Sequence, residues 1–245
     1  MSAGALRDRL IVALDRPDLA SALAEVDRIG EAVTWYKVGL ELFYVAGRGA
    51  VEAIAGRGKR VFLDLKLHDI PATVGKAIRA LDGLPISLLN VHAAGGPAML
   101  RAAVEAAAML RARPRVLGVT MLTSLDGSEF PPLWNPKTDL EEKVLALANA
   151  CSEAGCDGVV ASPLEVGPLR LEHEPPFLIV TPGIRGPGDK AQDQKRTLSL
   201  PEALARGADY VVVGRPILES KDPKAVVAAY EASVASNLSG ERTGS

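Results

Sequence analysis

The sequence predicts a single-domain α/β protein that folds as a (β/α)8 TIM barrel across residues 1–245. Eight short apolar runs, rich in Val, Ile and Leu, recur along the chain, and amphipathic segments separate them without an intervening linker. Runs that lack polar alternation are typical of strands buried on both faces, and strands that alternate with helices indicate a parallel sheet. Eight strand–helix units in about 250 residues are what a closed barrel requires.

The predicted elements follow in chain order. The strands are Leu10–Leu14, Trp35–Val38, Val61–Leu65, Ile86–Val91, Val116–Met121, Gly158–Ala161, Phe177–Val180 and Tyr210–Val213. The clearest helices are Leu19–Ile29, Pro97–Leu110, Leu140–Ala154 and Pro223–Ala235. An open doubly wound sheet is the alternative, but a nucleotide-binding sheet of that kind would have a glycine-rich turn after its first strand. Here that strand ends in Asp15-Arg16-Pro17, which favours the barrel.

Two segments of the sequence are expected to be irregular. Thr123 to Thr138 contains three prolines, and Gly183 to Thr197 is rich in Gly, Asp, Lys and Gln, so both are predicted to be long loops. Loops of this length in compact domains are often functional. The polar tail from about Ser236 is expected to fray.

Composition excludes several classes of protein. Apolar residues make up 48% of the chain and charged residues 24%, with a formal net charge of −2, which indicates a globular protein and gives no sign of a nucleic-acid or membrane partner. The apolar run Leu10–Leu14 is too short for a signal sequence or a membrane span. Cys151 and Cys156 are predicted to be reduced thiols rather than metal ligands. We therefore expect a cytoplasmic protein.

Charged residues stand where apolar residues normally fill a barrel. Asp64 and Lys66 lie two apart near the end of the third predicted strand, so they should point together into the carboxyl-terminal mouth, where barrel active sites are built. Lys37 ends the second strand, Asp15 ends the first, and Asp69 follows in the next loop. A buried ion network that only closes the barrel mouth is the structural alternative. Chemistry explains the cluster better, since buried ion pairs seldom stabilise a fold much.

A second set of polar residues follows the seventh and eighth strands, where barrels often bind phosphate. These residues are Arg185, Gln194, Gly214 and Arg215. Gly214 permits close approach of the backbone to an anion, and Arg215 offers a fork of donors suited to phosphate oxygens. An ordinary surface arginine is the alternative for Arg215.

The ordered motifs resemble those of the orotidine 5′-phosphate decarboxylase family. Asp64-x-Lys66-x-x-Asp69-Ile70-Pro71-x-Thr73 resembles the family signature, and the resemblance extends over nearly the whole chain. The other matching motifs are Ala13-Leu14-Asp15, Lys37-Val38-Gly39, His92-Ala-Ala-Gly95-Gly96, Val119-Thr120-Met121-Leu122-Thr123-Ser124, Thr181-Pro182-Gly183-Ile184-Arg185 and Val213-Gly214-Arg215-Pro216-Ile217.

This resemblance implies a cofactor-free, metal-free lyase that converts orotidine 5′-phosphate (OMP) to UMP and CO2 in pyrimidine biosynthesis. Lys66 would protonate C6 of the pyrimidine, while Asp64 and Asp69 would hold its ammonium group charged and oriented. The resemblance assigns the ribose hydroxyls to Asp15 and Lys37, the pyrimidine to Thr123 and Ser124, and the phosphate to Gln194, Gly214 and Arg215, with a binding role for Arg185. Ile70, Thr73 and Pro182 complete the implied substrate-binding set.

The family resemblance also implies a homodimer with shared active sites, in which Asp69 and Thr73 enter the site of the partner. The chain departs from the family pattern at one point, because Gln192 stands where a glycine usually precedes the Asp-Gln pair. Gln192 and Gln194 are therefore both candidates for the phosphate contact, and the register favours Gln194.

The sequence has three rival functional interpretations. A phosphosugar lyase on the same barrel would bind Mg²⁺ through a Glu at the end of the second strand, but Lys37 occupies that position and would repel the metal. A ribulose-phosphate epimerase would need metal-binding histidines, and none of His68, His92 and His173 is paired at ligand spacing in the sequence. A non-catalytic nucleotide-binding barrel is the third alternative, and the intact Asp64, Lys66 and Asp69 argue against it.

Overall fold

A computed structural model of the chain describes residues 6–125, 139–185 and 196–240, with side chains described up to residue 237. The strands are β1 (Leu10–Ala13), β2 (Trp35–Val38), β3 (Arg60–Leu67), β4 (Leu88–His92), β5 (Arg115–Val119), β6 (Gly158–Val160), β7 (Leu178–Thr181), β8 (Ile184–Arg185), β9 (Leu198–Ser199) and β10 (Tyr210–Val213). Eight of them close a barrel in the order β1-β10-β7-β6-β5-β4-β3-β2, and every pair is parallel. The predicted (β/α)8 fold is confirmed.

Each predicted strand is present, with ends that shift by a few residues. β3 continues to Leu67 instead of ending at Leu65, and its pairing with β4 changes register between Leu63 and Leu67. The segment Gly183 to Thr197, expected to be loop throughout, contains β8, which pairs in parallel with β9 just beyond its end. Two residues of pairing are too short for a periodic signal in the sequence.

Helices cover the outside of the barrel. They are α1 (Leu19–Ile29), α2 (Leu40–Ala46), α3 (Arg48–Ala55), α4 (Pro71–Arg79), α5 (Gly96–Ala108), α6 (Leu140–Glu153), α7 (Val166–Glu172), α8 (Leu200–Ala205), α9 (Arg215–Leu218) and α10 (Pro223–Gly240), with short 3-10 helices at Leu6–Asp8, Gly30–Ala32 and Ala93–Gly95. α1 has the predicted bounds because both ends carry capping signals. The Asp18 side chain accepts a hydrogen bond from Ser21 N at 2.7 Å, and Gly30 adopts φ 58° after the last turn.

The final helix extends further than the sequence suggested. α10 runs to Gly240, past Ser236, where we expected the chain to fray. The Ser236 hydroxyl donates to Ala232 O at 3.0 Å within that helix. Once a helix has formed, each added residue gains a backbone hydrogen bond at little further cost, so polar residues can continue it.

Two apolar cores lie on the two faces of the sheet. Alternate strand residues such as Leu10 and Val12 pack outward against the helices, while Ile11 and Ala13 pack into the barrel. Phe62 on β3 belongs to this inner core. An apolar layer that includes Phe62 therefore lies directly beneath the polar residues of the barrel mouth. Of the helices in the described ranges, none is long and apolar enough to cross a membrane.

Candidate active site

A pocket opens at the carboxyl ends of the barrel strands, directly above the inner core. Its volume is about 280 Å³, close to the lower end of the range of roughly 300–1,000 Å³ for small-molecule sites. It is lined by Ala13, Asp15, Lys37, Phe62, Asp64, Lys66, Val119, Met121, Leu122, Thr123, Val160, Ala161, Pro182, Ile184, Thr197, Val212, Gly214, Arg215 and Pro216. The pocket thus contains charged residues predicted for the reacting end together with two of the residues predicted for phosphate.

Asp64 lies between two lysines at the base of this pocket. Lys66 Nζ is 2.6 Å from Asp64 Oδ1, and Lys37 Nζ is 3.3 Å from Asp64 Oδ2. Lys37 Nζ also lies 3.3 Å from Asp15 Oδ1, which extends the array to the first strand. Asp64 and Lys66 both point into the mouth, as strand alternation predicted. The result is a chain of alternating charges drawn from β1, β2 and β3.

The array keeps Asp64 and Lys37 ionised. Burial by itself would raise the pKa of the Asp64 carboxyl, but Lys37, Lys66 and a hydrogen bond from Asn90 outweigh it and hold that pKa below its ordinary value. Burial would likewise lower the pKa of the Lys37 ammonium, yet Asp64 and Asp15 hold it above its ordinary value. Each buried charge is therefore compensated by its neighbours, as charges taken out of water must be.

A glycine makes room for the Lys37 ammonium. A Cβ atom at Gly39 would lie 2.9 Å from Lys37 Nζ, closer than side-chain carbons and nitrogens pack. The Lys37-Val38-Gly39 motif therefore has a steric basis in this site. Any side chain at residue 39 would push the ammonium away from Asp15 and Asp64.

Asn90 is a residue of the site that the sequence analysis missed. It is fully buried on β4, where its Nδ2 donates to Asp64 Oδ1 at 2.6 Å and its Oδ1 accepts from Lys66 N at 2.8 Å. Lys66 has φ 48°, a left-handed conformation that is uncommon outside glycine. Asn90 thus supports both the Asp64 carboxylate and the strained backbone of Lys66. The signal available in the sequence was an amide side chain at an inward-facing position of an otherwise apolar strand.

Four of the predicted site residues do not line this pocket. Asp69, Ile70, Thr73 and Ser124 are exposed on the single chain and are absent from the lining described above. Asp69 Oδ1 accepts from Ile70 N at 2.6 Å, just before α4 begins at Pro71. The structure of one chain therefore does not bring Asp69 into the array of Asp64 and the two lysines.

The predicted phosphate residues are only partly described. Gly214 and Arg215 line the pocket at the end of β10, where Arg215 begins α9, and Pro182 lines it after β7. The backbone of Arg185 forms part of β8. Gln192 and Gln194 lie outside the described residues, so the choice between them remains a prediction.

A second missed feature lies behind the pocket wall. Glu165 and Arg196 are both buried and form an ion pair. Glu165 directly precedes α7, and Arg196 directly precedes Thr197, which lines the pocket. Burial raises the pKa of the Glu165 carboxyl to about 7 even though the charge of Arg196 acts in the opposite direction. No periodicity or motif in the sequence indicates this pair, because its members are distant in the chain and stand in irregular segments.

Histidine and cysteine side chains are the remaining candidates for metal ligands. The rings of His68 and His92 lie 5.3 Å apart, a proximity that their sequence spacing did not suggest. In the part of the chain that the structure describes, no group of three or more His, Cys, Asp or Glu side chains is arranged to hold a metal ion. Cys151 and Cys156 are buried free thiols.

Comparison with known proteins gives one consistent result. Residues 8–230 match the model of the "Orotidine 5'-phosphate decarboxylase / HUMPS family". The chain is 48% identical over 233 residues to the orotidine 5′-phosphate decarboxylase of Moorella thermoacetica, covering 93% of this chain and 92% of that protein. It is 45% identical over 229 residues to the enzyme of the same name from Rhodopseudomonas palustris, covering 94% of each. A crystal structure of the Lactobacillus acidophilus orotidine 5′-phosphate decarboxylase is similar with a TM-score of 0.81 and 37% identity, covering 93% of this chain and 99% of that one.

Proposed function

The chain belongs to the orotidine 5′-phosphate decarboxylase / HUMPS family, and from this membership we propose how its pocket converts OMP to UMP and CO2. The observation that carries the assignment is Lys37, which lies 3.3 Å from both Asp15 and Asp64. In the related phosphosugar enzymes a metal-binding Glu ends the second strand. A lysine there favours an anionic nucleotide over a Mg²⁺ complex.

Lys66 is the proposed proton donor. The bond between C6 and the carboxylate breaks, its electron pair stays on C6, and CO2 departs. The Lys66 ammonium stabilises the negative charge that develops at C6 and transfers a proton to that carbon, after which solvent reprotonates the amine. Asp64, 2.6 Å from Lys66 Nζ, orients the donor and places negative charge beside the departing carboxylate.

The remaining pocket residues are proposed to bind the rest of OMP. Asp15 and Lys37 contact the ribose hydroxyls, and Thr123 with Ser124 contacts the pyrimidine. Arg215 binds the phosphate together with Gly214, Arg185 and Gln194. Phosphate binding far from C6 contributes energy that orders the site, which is how remote contacts raise turnover.

A homodimer with shared sites completes the proposal. Asp69, Ile70 and Thr73 are exposed on the single chain, and Ile70 has an exposed fraction of 66%, so all three are accessible to a partner subunit. We assign Asp69 and Thr73 to the active site of the partner, with Ile70 beside them in the substrate-binding set. Mixing Lys66→Ala and Asp69→Ala subunits should regenerate activity, because half the sites of a mixed dimer would be intact. Proven subunit exchange without recovered turnover would contradict shared sites.

The proposed cellular location is the cytoplasm. Its support is the pair of buried free thiols at Cys151 and Cys156, since reduced cysteines are typical of that compartment. Cell fractionation with an antibody to the protein tests this placement, and recovery in a secreted fraction would contradict it.

The test of the reaction is turnover of OMP in the presence of EDTA, followed by loss of the orotate absorbance. Turnover that survives EDTA and disappears in Lys66→Ala supports both the reaction and the role of Lys66. The matched control is Lys59→Met, which removes a lysine next to the opposite end of β3 and should retain turnover. A folded protein that binds UMP but does not decarboxylate OMP would make the chain a binding protein instead.

A further inference from the structure

The buried pair of Glu165 and Arg196 contacts the pocket wall through backbone carbonyls. Arg196 Nη1 donates to Glu165 Oε1, while Arg196 Nη2 donates to Leu122 O at 3.2 Å and lies 3.4 Å from Met121 O. Met121 and Leu122 both line the pocket. A single guanidinium thus joins the start of α7 to the loop that follows β5.

The carbonyls of Met121 and Leu122 lie at the start of a turn, so their contact with Arg196 affects the position of that turn. Leu122 O also accepts from Leu125 N at 3.0 Å, which closes a turn over Thr123 and Ser124. The Arg196 guanidinium therefore holds Leu122, the first residue of the turn that contains Thr123 and Ser124.

Stability alone explains the pair poorly. Side chains of Glu165 and Arg196 have exposed fractions of 7% each, so both charges have lost their hydration. Arg196 Nε has no hydrogen-bond partner within the described residues. Buried pairs of this kind are often replaced by apolar residues without loss of stability. What an apolar pair cannot supply is a donor for the two carbonyls.

Building on the proposed function, we propose that Glu165 and Arg196 are positioning residues that fix the turn after β5 and thereby determine how tightly the pocket holds the pyrimidine base. Glu165 orients the guanidinium, and Arg196 positions the turn. The pair then governs affinity for the base more than affinity for the ribose phosphate.

The test compares two ligands that share the ribose phosphate and differ in the base. Dissociation constants of UMP and ribose 5-phosphate are measured by calorimetry for the parent, Arg196→Met and Glu165→Gln proteins. Loss of two hydrogen bonds from a charged donor should weaken UMP binding by about tenfold in Arg196→Met, with ribose 5-phosphate changed less than about threefold. Glu165→Gln keeps an oxygen facing Arg196 and should show a smaller loss of the same kind. Equal losses for both ligands, or no loss for either, would overturn the proposal.

Two further variants separate positioning from folding. Arg170→Met is the matched control, because Arg170 also pairs with a carboxylate, Asp209, and donates to backbone carbonyls, but at the opposite end of the barrel. It should lower the melting temperature and leave the ratio of the two dissociation constants unchanged. The double variant Glu165→Leu/Arg196→Met refills the space with apolar side chains and should fold while still binding UMP weakly. Parental UMP affinity in the double variant would overturn the proposal. Failure of the parent itself to bind UMP would instead refute the proposed function.

Discussion

Replacing Asn90 with alanine should reduce catalysis far more than substrate binding. The change removes the donor to Asp64 Oδ1 at 2.6 Å and the acceptor for Lys66 N at 2.8 Å. Asp64 then loses a hydrogen bond, and Lys66 loses the contact that holds its backbone at φ 48°. We expect Lys66 Nζ to move by an ångström or so, and displacements of that size can cost about 100-fold in turnover.

The effect on stability can be worked from the same contacts. A hydrogen bond to a carboxylate contributes about 1.5–3 kcal/mol, and an unsatisfied buried N–H costs about 1–3 kcal/mol. Relaxation of Lys66 from the left-handed region would return about 1–2 kcal/mol. The free energy of unfolding should therefore fall by about 2–4 kcal/mol, which lowers the melting temperature by roughly 5–15 °C in a protein of this size.

The assay measures kcat, KM for OMP, UMP affinity and the melting temperature of Asn90→Ala beside the parent. Because Asn90 is not among the residues that line the pocket, UMP affinity should change less than about threefold while kcat falls about 100-fold. The control is Lys59→Met, which removes hydrogen bonds to Gly30 O at 2.8 Å and to Glu31 at 3.1 Å below the barrel. That variant should lose stability and keep its kcat. A kcat for Asn90→Ala within threefold of the parent, accompanied by the expected loss of stability, would refute the supporting role.

Three other perturbations have defined outcomes. Arg215→Ala should lower kcat/KM for OMP by about 10- to 100-fold, through kcat as well as KM, because the lost charged hydrogen bonds to the phosphate no longer order the site. Unchanged kinetics would remove Arg215 from the site. Gly39→Ala should raise KM for OMP by a few fold, because the new Cβ would lie 2.9 Å from Lys37 Nζ. The control is Gly49→Ala, whose Cβ would meet nothing within 4 Å. Equal KM values in the two variants would contradict the steric argument. Burial raises the pKa of Glu165 from 4.5 to about 7, so the carboxyl binds a proton on folding and favours the folded state most below pH 4.5. That contribution is about 3 kcal/mol at most, and it is lost as the pH rises through 7. The melting temperature of the parent relative to that of Glu165→Gln should therefore fall between pH 5 and pH 8. A difference that stays constant or rises would refute the upward shift in the pKa of Glu165.

Much of the architecture could be predicted because it depends on local signals. The eight apolar runs correspond to the eight barrel strands, and α1 has its predicted bounds because Asp18 and Gly30 cap it. The direction of Asp64 and Lys66 followed from the period of two along a strand, even though Lys66 itself adopts a positive φ. Periodicity and capping are properties of neighbouring residues, so a single sequence contains them.

What the sequence could not supply is contact between distant segments. Asn90 reaches Lys66 across 24 positions and Arg196 reaches Glu165 across 31, and neither pair belongs to a pattern that spacing reveals. Asp69 was grouped with Asp64 and Lys66 because it is near them in the sequence, yet it is exposed on the single chain. In the proposed homodimer, this exposed position is what would allow Asp69 to enter the site of the partner.

The geometry of the mouth explains why supporting residues are needed at all. An apolar layer that includes Phe62 lies beneath the mouth, and directly above it Asp64 and Lys37 carry charges that have little access to water. Such charges remain ionised only if hydrogen bonds replace the water they have lost. Asn90 supplies one of these bonds to Asp64, whose other contacts are the two lysines. The charged array of Asp64, Lys37 and Lys66 is therefore already in place before charge develops on a substrate. Electrostatic catalysis requires such an arrangement, because the charges then need not reorganise during the reaction. In this protein, the Asn90 side chain on β4 supports the strained backbone of Lys66 on β3. The roles of these two residues in the reaction should therefore be tested with a double variant as well as with the single ones.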